Sequence, residues 1–317
     1  MESKIKHFLY CPFTGLGLYG GFRGNRWLKN RLRIFKQFVL PSLLAQSSKE
    51  FTLWVSWRPE EKYNKYVKEF VEFMDGVKEF KTVHTFHGVC FWDDKYSDEE
   101  ARDRLLTNLH DTMGELVGHV GDVSHVLMTI QPSDDCYSSV AVAGIQACFN
   151  ETPDMDAFGF SKGYICNYLT KEVAEYNPTT NPPFYTIKFT KAAFINPLEH
   201  ANHTSLKKDA GKYKKGTPLP SHEYVKDCLR YGVIQEREFL VGTHRENIST
   251  VFTHPFKGSM VDKNILARFG IHEAPELVLK TSWRRAVLHK LPFKVQRKLR
   301  YWLGERIWNN LYNFLRS

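Results

Sequence analysis

His125-Val126-Leu127-Met128-Thr129-Ile130 runs straight into Gln131-Pro132-Ser133-Asp134-Asp135, and a helical pattern follows from about Ser138 to Phe149. A short apolar run closed by a proline-containing turn reads as a buried strand, the fourth in the chain. Working outward from it, strand and helix patterns alternate. Residues 5–11 (IKHFLYC), 51–57 (FTLWVSW) and 81–86 read as strands. Between and after them, residues 25–46, 63–74 and 98–117 carry apolar side chains at three- and four-residue spacing and read as helices. That order predicts an α/β fold with a mainly parallel sheet flanked by helices. In such sheets ligands bind beyond the carboxyl ends of the strands. Two segments are therefore candidates: Pro12–Gly24 (PFTGLGLYGGFRG) after the first strand, with six Gly or Pro, and the Asp134-Asp135 pair after the fourth.

The second half changes character. Residues 157–163 and 164–169 read as a strand pair around Lys162-Gly163, residues 185–190 and 192–194 as strands, and residues 177–184 as a Pro/Asn-rich loop. Residues 200–220 are polar, rich in Lys and punctuated by Gly and Pro, the pattern of a surface loop. Ser221-His222-Glu223 opens a helix through Leu229, and short strands at 239–242 and 250–252 flank His244 and Asn247.

The chain has 317 residues, 42% of them hydrophobic and 25% charged, which excludes a disordered, collagen-like or disulfide-scaffold protein. Its six Cys form no C-x-x-C pair, so they read as packed thiols. No run approaches ~18 apolar residues, and the first residues lack the apolar core of a signal peptide, which gives a cytoplasmic expectation. The net charge of +9 is concentrated at one end. Residues 280–317 hold ten Lys or Arg against Glu305, while residues 1–279 balance at 34 against 34. From Lys294 this tail reads as an amphipathic helix: Val295, Leu299, Trp302, Leu303, Ile307, Leu311, Phe314 and Leu315 share a face. Such a basic helix suits either an anionic membrane surface, at the inner face of a membrane, or docking on the body with a solvated back. Nucleic-acid backbone binding ranks below both, since the body has no nucleic-acid module.

Two adjacent carboxylates at the end of an apolar strand need positive compensation. A divalent metal with bound phosphates would supply it; the plainer reading is a turn or helix N-cap. Arg23, Arg31, Arg102 and Arg104 are candidate diphosphate partners, because the planar guanidinium donates two parallel hydrogen bonds. Thr14 and the glycines after it could line a nucleoside pocket. No G-x-S-x-G, H-E-x-x-H or Walker A pattern occurs. Gly15, Gly17 and Gly20 match the spacing of a dinucleotide fingerprint, but a basic loop rather than a helix follows them.

The run Trp27-Leu28-Lys29-Asn30-Arg31-Leu32-Arg33-Ile34-Phe35, followed by Phe38, Leu40-Pro41-Ser42-Leu43, Ala45-Gln46, Phe51 and Trp54-Val55, resembles the opening of the rhamnosyltransferase family. That family looks like a branch of the GT-A nucleotide-sugar transferases. Thr129–Asp135 sits where the family has a T-x-L-D-S-D-D string, with Pro132 in place of its first acid. The resemblance implies a GT-A-like glycosyltransferase domain over residues 1–279, with a nucleotide-sugar half (1–150) and an acceptor half (151–279), and leaves 280–317 as a separate tail. It implies a nucleoside-diphosphate sugar donor, a glycan or lipid-linked acceptor and a divalent metal (Mn²⁺ or Mg²⁺) held by Asp134, Asp135 and a late His. His254 in T-H-P-F-K-G is the first choice for that His, with His244 as its rival, and Lys257 could meet a phosphate. Asp134 would contact the metal or the donor sugar. In an inverting transfer Glu223 would be the base that deprotonates the acceptor, although Ser221 followed by acids is also an N-cap pattern. The alternative implied by Pro132 is a fold that binds nucleotide or glycan without turnover; a transferase acting on nucleic acid is a third reading.

Overall fold

The computed structural model describes residues 5–14, 24–88, 98–197, 199–200, 225–244, 247, 252, 258–273, 276–279, 295, 301–303 and 307. The fold is α/β, as expected. A seven-stranded sheet has the order β10-β6-β9-β4-β1-β2-β3. Strands β1 (Ile5–Cys11), β2 (Thr52–Ser56), β3 (Lys81–Thr85) and β4 (His125–Ile130) run parallel at its centre and one flank. On the other flank β9 (Tyr185–Thr190) is antiparallel to both β4 and β6 (Ala157–Phe160), and β10 (Tyr231–Ile234) lies parallel to β6. Strands from both sides of residue 150 thus share one sheet.

The centre is covered on both faces, which is why β2 is buried at every residue. Alternate side chains enter different cores. Leu9, Cys11, Leu53 and Val55 pack under the opening helices, whereas Phe8, Tyr10 and Trp54 pack with Met113 and Leu116 of the long helix α4 (Asp98–Val120).

The opening helix is interrupted. Residues Asn25–Ile34 form α1 and Leu40–Leu44 form α2, with a π turn over Phe35–Val39 in which the Leu40 N–H reaches back to Phe35 O. Pro41 lacks the N–H that would continue the ladder, and its ring would crowd a carbonyl one turn back, so the wider turn lies directly before it. Helices α3 (Lys65–Asp75) and α5 (Ala141–Glu151) follow the expected pattern.

A second sheet has the order β12-β8-β7-β11-β5. It is built from β5 (Cys136–Tyr137), β7 (Gly163–Asn167), β8 (Val173–Tyr176), β11 (Phe239–Thr243) and β12 (Met260–Val261). This corrects the expected strand pair at 157–169. Strand β6 belongs to the first sheet and β7 to the second, parallel to β11. Gly163 permits that docking, because a Cβ there would meet Phe239 O at 2.5 Å. Residues 192–194 are also not a strand: Thr190 Oγ1 accepts from Ala193 N at 3.2 Å and caps a short helix, α6 (Lys191–Ile195). Its Phe194 is buried and stacks on Phe8 at 5.5 Å. The loops at 15–23 and 201–220 and the strand at 250–251 lie outside the described residues.

Candidate functional site

The acid pair sits where the chain leaves one sheet for the other. Strand β4 ends at Ile130, and β5 begins at Cys136. The five residues between are pinned at several points. Gln131 N donates to Tyr10 O at 2.8 Å, and its Nε2 donates to both Pro132 O and Asp135 O at 2.9 Å. Tyr137 Oη closes the turn by donating to Ile130 O at 2.8 Å. Pro132, the departure from the family string, therefore contributes its carbonyl to the turn.

Asp134 turns inward. Its Oδ2 is paired with Arg31 Nη1, lies 2.9 Å from His244 Nε2 and accepts from Asn247 Nδ2 at 3.3 Å. Asn247 in turn accepts from His244 N at 2.7 Å and donates to Gly242 O at 2.7 Å, which braces the end of β11. Burial alone would raise the Asp134 carboxyl, but the Arg31 guanidinium and His244 outweigh it and hold it well below the usual carboxylate range. Asp135 has the opposite environment. Burial and the neighbouring Asp134 charge push its carboxyl well up, against one hydrogen bond from Gly242 N to Oδ1 at 2.8 Å. Adjacent carboxyls driven apart in this way are a mark of functional sites. Burial, with Arg31, lowers His244.

Tyr168 supports the pair from below. It donates to Asp134 O at 3.0 Å, and its ring stacks on Phe38 of the π turn at 3.7 Å. Gly242 is required at the same point, since a Cβ would lie 2.3 Å from the Tyr168 ring and 2.4 Å from Asp134 O.

At the carboxyl end of the next strand, Thr14 forms a second polar cluster. Its N–H donates to Ser56 O at 3.3 Å, its hydroxyl donates to Glu61, and Arg58 Nε donates to Thr14 O at 3.3 Å. All three side chains are buried, and burial raises the Glu61 carboxyl. Phe13 stacks on Trp57 at 4.6 Å beside them. Arg58 and Glu61 escaped the sequence reading. Their signal was there, in Trp57-Arg58-Pro59-Glu60-Glu61 directly after the second strand, a position where ligands are expected.

Of the residues singled out in the sequence, Arg31, Asp134 and Asp135 come together, with His244 joining them. Arg31 points at Asp134 and is only 5% exposed, so its charge is spent within the site. Thr14 lies in the neighbouring cluster. Arg104 is exposed on α4, and Arg102 is on the same helix, its side chain outside the described set. Arg23, Glu223, His254 and Lys257 lie outside the described residues. Among the described residues no three His, Cys, Asp or Glu are grouped to hold a metal ion. Asp134 Oδ2 is already shared by three partners, whereas Asp135 commits only Oδ1. A hard cation that keeps phosphate oxygens in its shell needs only one or two protein carboxylates, and Asp135 Oδ2 fits that need.

No curated protein sequence matches the chain. Among solved structures, S. aureus TarS is 13% identical with a TM-score of 0.39, over 98% of this chain and 55% of that one. Mouse xyloside xylosyltransferase 1 in its apo form is 13% identical with a TM-score of 0.29, over 49% of this chain and 52% of that one. A "putative nucleotide-diphospho-sugar transferase" from Desulfovibrio desulfuricans G20 is 11% identical with a TM-score of 0.34, over 83% and 93%. The chain thus spans about half the length of the first two. Residues 23–85, which hold the opening helix with Arg31, the strand β2 and the Arg58–Glu61 turn, match the model of the family described as "Putative rhamnosyl transferase".

Proposed function

We propose that the chain is a glycosyltransferase that moves a sugar, with rhamnose the first candidate, from a nucleoside-diphosphate donor to an acceptor hydroxyl. The observation that carries this reading is the Arg31–Asp134–Asp135 cluster beyond the carboxyl end of β4, in which Arg31 and Asp135 are buried and Asp134 half-buried, with Arg31 inside the segment that matches the family. Attack by the acceptor oxygen on the anomeric carbon forms one C–O bond and breaks the bond to the diphosphate, which leaves with the electron pair. The acceptor proton passes to a base, for which Glu223 is proposed, and inversion follows from attack opposite the leaving group. Asp134, fixed as an anion by Arg31 and His244, orients the Asp135 turn and is placed to accept from a donor hydroxyl. A divalent cation held by Asp135, with Asp134 behind it and His254 as a proposed further ligand, would neutralise the departing diphosphate. Lys257, Arg23, Arg102 and Arg104 are proposed phosphate partners. Thr14, held by Arg58 and Glu61, would back the nucleoside.

The test is a thermal-shift screen of dTDP-, UDP-, GDP- and CMP-sugars with and without Mn²⁺, since a ligand of the folded state raises its melting temperature. A shift for one nucleotide, lost in Asp135→Ala together with transfer, is expected. Normal turnover by Asp135→Ala would overturn the assignment. The seat of Arg31 on Asp134 favours a second reading, binding without turnover. That reading predicts a nucleotide-sugar shift with no transfer to any acceptor and no donor hydrolysis.

A further inference from the structure

Most of the basic tail at 280–317 lies outside the described residues. Within them, positive charge gathers at the amino end of the central strands, opposite the acid pair. In the parallel register Phe8 lies beside Thr52, and Thr52 beside Lys81. Side chains alternate along a strand, so Lys6, Phe8, Thr52 and Lys81 share one face of the sheet. It is the face that α4 covers, since Phe8, Trp54 and Val83 pack with Leu116 and Val120. His119 belongs to the last turn of that helix, next to Val120. The Lys6 ammonium lies 5.5 Å from the centre of the Phe8 ring, on the same face. Two lysines and a histidine are thereby brought to one corner of the sheet.

These charges are not compensated by their neighbours. Burial, then Lys81, lowers the Lys6 ammonium, and burial, then Lys81 and Lys6, lowers His119. Glu50 acts on Lys6 in the opposite sense, and Glu115, one turn before His119, is paired with His87 at 3.0 Å. Among the described residues neither ammonium makes an ion pair or a hydrogen bond. Two buried polar atoms, His119 Nδ1 and Thr52 Oγ1, have no partner either. The carbonyl end of α4 is the simplest partner for basic groups, but none of the three donates to it. We propose that Lys6, Lys81 and His119 bind a tetrahedral oxyanion, either free phosphate or the phosphate of a small monoester. Each ammonium supplies a point charge with three donors, and the imidazole and the Thr52 hydroxyl add directed ones. The site lies at the other end of the sheet from Asp134 and Asp135, so it stands or falls apart from the transferase reading.

The experiment is a titration of the full chain with inorganic phosphate at constant ionic strength. It is followed through the nuclear magnetic resonances of the His119 ring, assigned with His119→Gln. A saturable change is expected, with the His119 pKa rising as phosphate binds, because an anion favours the protonated ring. Lys81→Gln, at an exposed position, should weaken binding about tenfold, and Lys6→Gln by a similar factor. Asp135→Ala should leave the His119 response unchanged, which separates this site from the donor site. Glycerol 3-phosphate bound at least as tightly as phosphate would make a monoester the occupant; weaker binding would make it free phosphate. A change that never saturates would overturn the proposal. So would undiminished affinity in both lysine variants, or loss of the response in Asp135→Ala.

Discussion

Gly242 shows how little freedom the acid pair has. Its N–H holds Asp135, its carbonyl receives Asn247, and the space a side chain would need is filled by Tyr168 and Asp134 O. Gly242→Ala must push the Tyr168 ring or the acid turn aside, and a cost of about 2–4 kcal/mol is expected from chemical denaturation. Tyr168→Phe removes the hydrogen bond to Asp134 O and the weaker 3.4 Å contact with Cys136 Sγ without changing the packing, and about 1 kcal/mol is expected. His7 carries a pH signature. It is buried in a chain that runs from Gln146 Nε2 to its Nδ1 at 3.2 Å, and from its Nε2 to Thr129 Oγ1 at 2.7 Å. Burial, helped by Lys6, lowers its pKa from 6.5 to about 3. Between those values the unfolded chain takes up a proton that the fold refuses. The stability contributed by neutral His7 is therefore complete above 6.5 and is lost as pH falls toward 3, at up to about 1.4 kcal/mol per pH unit. His7→Gln should flatten the fall of the unfolding midpoint between pH 6 and pH 4; an unchanged slope would assign it to another group. At this scale the acid pair and Arg31 were readable, because residue type and position after a strand sufficed. That Arg31 pairs with Asp134, and that His244 lies within reach of it, depends on contacts between residues 103 and 110 positions apart, which no local pattern encodes.

The interrupted opening helix shows the same division among elements. The apolar spacing of residues 25–46 marks the helix because one face is buried along its whole length. The π turn inside it leaves no periodic trace; only Pro41 hints at it. Yet the turn sets Phe38 against Tyr168, and Cys136 Sγ donates to Phe38 O at 3.4 Å. Opening helix, acid turn and second sheet are thus fastened at one point. Phe38→Ala should cost about 3–5 kcal/mol, and it should weaken donor binding as well, measured by calorimetry on the same sample. A stability loss with unaltered donor affinity would show that the stack supports the fold but not the site. Strands β6 and β7 mark the limit of reading by alternation: each is a strand by pattern, but which sheet it joins is decided by partners distant in sequence, β9 some 26–30 residues on for β6 and β11 76 residues on for β7. The α6 segment failed for a different reason, since a single Thr cap outweighed the strand propensity around it.

For the molecule as a whole, the parallel α/β class followed from alternating strands and helices, while the second sheet did not, because its strands are short and mostly non-sequential in their pairing. That sheet is not an appendage. Tyr164, Cys166, Val173 and Leu240 share a core with Leu9, Val55 and the opening helices, and Ile165, Phe239 and Val241 share another with Leu127 of β4. Cores spanning both sheets cannot be half dissolved without exposing apolar surface on each, so the two sheets should unfold together. Trp27, Trp54 and Trp57 are buried around the first sheet, and no described Trp lies in a strand of the second. The emission shift of these three buried indoles therefore reports the first sheet, whereas far-ultraviolet circular dichroism reports both. Coincident denaturant midpoints by the two probes are expected. A circular-dichroism transition that precedes the fluorescence one would mean that the second sheet melts alone. The acid pair, which bridges the sheets at β4 and β5, would then lose its Gly242, His244 and Asn247 partners before the parallel sheet opens.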